Sequence, residues 1–127
     1  MKKMILALVA SSVLALANET TINATMSLMT QGMNQIQAGF LYSNKEDIKG
    51  GLTVLENANA IFSKVDVSTF IAHNNKIQVT HNINKNLDKN IKGLKKAIAA
   101  ENYSDATREY GELTANCIAC HKIVRGW

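Results

Sequence analysis

The chain has 127 residues, a formal charge of +4, 6% aromatic residues, two cysteines and no proline. That length allows one domain with a modest core. With few aromatics and no basic patch interleaved among them, the composition gives nucleic-acid binding no support.

The chain opens like a secretory leader. Lys2 and Lys3 supply positive charge, Met4 to Leu16 is apolar apart from Ser11 and Ser12, and Ala15-Leu16-Ala17 resembles a small-residue cleavage site. We therefore expect a signal peptide over residues 1–17 and a mature domain over residues 18–127. The apolar run is short for a bilayer span and no second one follows; the alternative is an uncleaved N-terminal anchor. Without Lys2 and Lys3 the formal charge falls from +4 to +2.

The rest of the chain reads as helix. Ile22, Met26, Met29, Met33, Ile36 and Phe40 recur at alternating steps of four and three, which predicts a helix lying nearly parallel to its neighbours. Tyr42 to Asn44 breaks it, and Ser43 or Asn44 can cap the next helix, with Glu46 and Asp47 in its first turn. Ile48, Leu52, Leu55 and Phe62 continue the heptad, with Asn59 in the remaining slot. A second break at Val65 to Ser68 puts Asp66 or Ser68 at the cap of a third helix. Phe70, Ile77, Leu87, Ile91, Leu94 and Ile98 are expected on its buried side; Asn84 interrupts that stripe. Gly93 weakens the helix by about 1 kcal/mol. Asn102 and Asp105 form a capping-box-like start to a fourth helix, whose stripe runs Tyr103, Ala106, Tyr110, Leu113, Cys117, Cys120, Val124. Four such helices with short connections predict an all-α fold, an antiparallel up-down-up-down four-helix bundle.

The last helix carries Cys117-Ile118-Ala119-Cys120-His121, a C-x-x-C-H segment. This is the attachment signal of a c-type haem: each cysteine sulfur forms a thioether with a porphyrin vinyl group, and the histidine binds the iron. Three other readings compete. A thioredoxin-like dithiol enzyme needs alternating strands and helices and normally a proline beside its active site, which this chain lacks. A zinc site needs four ligands, and His73 and His81 have no ligand-like spacing to the pair. A short structural disulfide leaves His121 unexplained. Both cysteines lie on the core stripe, and His121, four residues after Cys117, shares that side. One haem c and one iron are therefore the expected cofactors, with His121 as the proximal ligand.

An exported helical chain with C-x-x-C-H near the end of its last helix resembles the class II c-type cytochromes, the cytochrome c-prime family. The resemblance implies a periplasmic mono-haem one-electron carrier that serves redox partner proteins of a respiratory chain; as no substrate pocket or acid-base constellation stands out in the sequence, no enzyme is expected. It aligns Thr25-Met26-Ser27-Leu28-Met29 with the family's first-helix segment. Met26 then takes the distal iron position, with Met29 as second choice and Met33 as packing. Ile22 stands where many members have arginine. Arg125, four residues after His121, matches a usual basic position, with a role toward a haem propionate or the proximal electrostatics. Thioether ligation raises the reduction potential of haem iron, although methionine is also a common core filler. His73 and His81, in polar surroundings, are expected at the surface, as are Lys85, Lys89, Lys92, Lys95 and Lys96, which can steer an acidic partner. The resemblance also implies a homodimer through the first two helices, for which Leu41, Tyr42, Val54 and Ile61 are available. The rival function is a five-coordinate member that binds or scavenges NO or CO.

Overall fold

A computed structural model describes residues 2–71 and 74–126, and the side chains of 19–71 and 75–126. The leader read over residues 1–17 thus falls outside the described side chains, and His73 outside the described residues. Four helices account for nearly all of the described chain: α1 (Lys2–Leu41), α2 (Lys45–Phe62), α3 (Asn74–Ala99) and α4 (Tyr103–Arg125). No strand occurs among the described residues, and the arrangement fits a four-helix bundle. No described helix is long and apolar enough to cross a membrane.

The connections α1–α2 and α3–α4 are built alike. Ser43 and Glu101 take left-handed backbone conformations, with φ of 54° and 55°. The next amides, of Asn44 and Asn102, reach back to the carbonyls of Gly39 and Ala97, while those of Ser43 and Glu101 bond to Phe40 and Ile98. This pattern satisfies carbonyls that a helix end leaves unpaired. Each asparagine then opens the next helix. Asn44 Oδ1 accepts from the Glu46 and Asp47 amides, and Asn102 Oδ1 accepts from the Asp105 amide. Each also donates to an aspartate three residues on. Asn44, rather than Ser43, is the cap. An ion pair between Lys45 and Glu101 joins the two connections.

The third connection departs from expectation. The break at Val65 does not lead directly into a helix that starts at Asp66 or Ser68. Asp66 instead caps a 3₁₀ turn, Val67–Thr69, accepting from the Ser68 amide at 3.0 Å and the Ser68 hydroxyl at 2.6 Å. These local bonds compete with helix propagation, and α3 begins only at Asn74. Phe70 therefore precedes α3, although it still packs against the core.

The core is mostly aliphatic. Ile36, Leu52, Leu55, Ile91, Leu94, Ile98 and Leu113 are fully buried. α1 and α2 meet at glycines: a Cβ on Gly51 would stand 2.6 Å from the Gly32 carbonyl oxygen, and one on Gly39 2.7 Å from the Ile48 nitrogen. α3 and α4 are joined by polar groups. Buried Asn90 donates to Glu109 and Glu112 at 2.9 and 2.8 Å and accepts from Asn116 at 2.8 Å. The two asparagines that interrupt the α2 and α3 stripes pair with each other, Asn84 donating to Asn59 at 2.6 Å. At the two ends of the α4 stripe, Tyr103 and Val124 are exposed instead of buried.

Candidate cofactor site

Because α4 is helical from Tyr103 to Arg125, Cys117 and Cys120 stand one turn apart on the same face, with His121 beside them. That face borders a cavity of about 230 Å³. α1 contributes Met26, Met29 and Met33 to its wall, α2 contributes Phe62, and α3 contributes Ile83, Asn84 and Leu87. A hollow of about 390 Å³ adjoins it, bounded by Ile22, Phe70, Val124 and Arg125. Met26, Phe62, Cys120 and His121 border both spaces.

The wall is more apolar than its residue types suggest. Thr30, Thr80 and Thr114 line the cavity, but each hydroxyl donates to the carbonyl four residues earlier, at 2.9, 2.8 and 3.0 Å. Asn84 and Asn116 are engaged by Asn59 and Asn90. A flat, largely apolar ligand with a polar edge suits such a lining, since a cavity of this kind releases apolar surface from water and offers few polar groups that must be matched.

The cysteines are free and half-buried. Burial pushes the Cys117 thiol up to about 11, with the adjacent Cys120 adding to the rise, and burial raises Cys120 as well. Both sulfurs are therefore thiols at neutral pH. A dithiol redox enzyme requires the opposite, a nucleophilic cysteine with a lowered value. Among the described residues no three His, Cys, Asp or Glu side chains converge as a metal set, so the zinc reading finds no ligand group there.

The structure thus brings Cys117, Cys120, His121, Met26 and Met29 around one cavity and sets Arg125 at the rim of its neighbour. Met33, expected as packing, also lines the cavity. The residues present fit a haem: two sulfurs and an imidazole stand on one helix, thioethers on another, and aromatic and aliphatic groups lie between. His81 is exposed. In the lysine run, Lys92 pairs with Asp88 and Lys95 with Glu56, while Lys85, Lys89 and Lys96 are exposed. Leu41, Tyr42 and Ile61 are exposed and Val54 is half-buried.

Sequence patterning did not single out Phe62 and Phe70 as parts of the site, because a ring on a heptad stripe has the same signature whether it faces core or cavity. Asn59 and Asn84 did carry a signal: two polar interruptions in neighbouring apolar stripes are what a buried pair requires. Comparison with protein-family models, curated proteins and solved structures gave no match.

Proposed function

We propose that this chain is an exported, periplasmic mono-haem c-type cytochrome of the class II kind, an up-down-up-down bundle that carries single electrons between redox partner proteins. The observation that carries this reading is the convergence of the C-x-x-C-H segment of α4 and a methionine of α1 on one apolar cavity. The topology has its own support. Gly39 lies against Ile48, and Gly32, earlier in α1, lies against Gly51 and Leu55, later in α2.

In this reading Cys117 and Cys120 would hold the porphyrin, His121 would be the proximal ligand and Met26 the distal one, with Met29 as second choice. Arg125, at the rim of the adjoining hollow, would serve a propionate or the proximal electrostatics. When bound, the haem supplies a one-electron iron couple. The chain supplies the rest. Its threonines turn their hydroxyls back to their own helices, Phe62 adds a buried apolar ring to the wall, and a neutral thioether adds no charge to it. A soft ligand in such a setting favours the reduced iron.

Haem staining of a denaturing gel is the first test, since thioether-linked haem survives denaturation; an unstained band from cells that attach haem to other cytochromes would overturn the reading. Visible spectra of the oxidised and reduced holoprotein, before and after CO, then test the distal ligand. Sharp low-spin bands unmoved by CO are expected. Broad bands that shift with CO would replace electron transfer by the gas-binding function.

A further inference from the structure

All the sulfur-bearing residues of 18–127 line one cavity. They are Met26, Met29 and Met33 on α1 and Cys117 and Cys120 on α4. Elsewhere the buried apolar positions are valine, isoleucine, leucine and alanine. Within residues 18–127 methionine is thus confined to the wall that also carries the two thiols. A haem held as described above uses both cysteines and at most one methionine, so at least two thioethers remain that ligate no iron.

We propose that the chain without haem binds one soft monovalent cation, Cu(I), in this cavity. Cysteine sulfur from α4 and thioether sulfur from α1 form the ligand set. Soft sulfur ligands select Cu(I) over the harder divalent ions. Each thiol that ligates gives its proton to water, and the oxidation state of the metal does not change. Thioethers are neutral, so they complete the coordination without adding charge to an apolar wall. Among the described residues no three His, Cys, Asp or Glu side chains are grouped to hold a metal; His121 is the one other such donor type on this cavity wall. The two helices that carry the sulfurs face each other across the open part of the fold, so the cation would bridge α1 and α4.

The proposal concerns the haem-free chain and does not rest on the haem reading. Where both hold, they compete: a cation on Cys117 or Cys120 blocks thioether formation, and haem attachment removes the thiols.

The test uses the full chain, purified without haem and reduced. Cu(I) is titrated in competition with bathocuproine disulfonate, a chromogenic Cu(I) chelator. The expected result is one Cu(I) withheld per chain, with the affinity lowered about tenfold or more in the triple variant Met26→Leu, Met29→Leu, Met33→Leu. Leucine nearly conserves volume, and circular dichroism checks the fold. A triple variant that withholds Cu(I) as tightly as the parent would overturn the proposal, because the dithiol alone would then be the binder. So would a parent that withholds none. If the triple variant does not fold, Ag(I) added to the parent labelled with ¹³C at its methionine methyls decides. Shifts of the cavity methyls complete at one equivalent support the site, and unmoved methyls overturn it. Haem staining reads the other proposal separately.

Discussion

The seam between α1 and α4 differs at its two ends. Near the connections, Phe40 of α1 and Tyr110 of α4 bring their rings to 5.2 Å between centroids, tilted by 44°. There α1 also lies close against α2, and Lys45 pairs with Glu101 across the two loops. Two to four turns away the same two helices are separated by the cavity that holds the sulfurs and His121. The closed end is assembled from glycine contacts, ring packing and doubly bonded caps, all satisfied within the chain. The open end presents apolar wall that the chain does not cover. Stability concentrated at one end permits a site at the other, because burial lost at the cavity is offset where the helices touch.

The sharpest way to break the closed end is Gly51→Val. Its side chain would meet the Gly32 carbonyl and the Ile36 amide, both backbone, so the helices must separate. Overpacking of this kind costs about 3 kcal/mol, which urea denaturation would show as a lower midpoint. A midpoint within error of the parent would mean that α1 and α2 do not approach as described. The next largest effect concerns the floor of the cavity. Asn84→Leu leaves the Asn59 amide buried without its partner, at a cost of about 2 kcal/mol. Replacing both asparagines by leucine should recover most of that loss, since removing a buried polar pair together is close to neutral. A double variant as unstable as the single one would show that the pair itself, and not the orphaned amide, matters.

Much of this was legible in the chain. The heptad stripes of Ile22 to Phe40 and Ile48 to Phe62 place the buried faces of α1 and α2, and Asn44 and Asn102 mark the helix starts, because caps and stripes are local signals. The start of α3 was not legible. Whether Asp66 caps an α-helix or a 3₁₀ turn depends on how Val67 and Ile71 pack, which is a tertiary matter. Tyr103 and Val124 keep heptad spacing yet lie outside the core, since spacing gives a face and not what stands opposite it. Of the site, the C-x-x-C-H segment was plain from sequence. The convergence of three methionines on it was visible only in part, because one stripe serves core and cavity alike.

A smaller effect, of opposite sign, tests whether the outer face of α4 belongs to neither end. Gly111 has open space where a Cβ would stand, and its conformation is helical. Gly111→Ala should therefore stabilise the fold by about 0.5–1 kcal/mol through helix propensity and a less flexible unfolded chain. A thermal melt that moves down would mean that the residue meets something that the isolated chain does not provide.

The smallest effect probes the ion pair that ties the loops. The Lys45 ammonium holds the Glu101 carboxyl below the ordinary carboxylate range by hydrogen bonding and then by charge, and Glu101 raises Lys45 in the same order. A lowered acid stabilises the fold above its unfolded value, and that contribution is lost as pH falls through the lowered one. A raised base contributes below its unfolded value and loses the contribution as pH rises through the raised one. The pair therefore acts on a plateau between the carboxylate and lysine ranges and fades on both sides. Glu101 is exposed and Lys45 only half-buried, so salt should weaken the pair. Glu101→Gln should melt slightly below the parent at pH 7 and low salt. The gap should close at high salt and near pH 2, an approximate point below the carboxylate range. A gap that persists at both would assign the effect to the left-handed backbone at residue 101, where φ is 55°, and not to its charge.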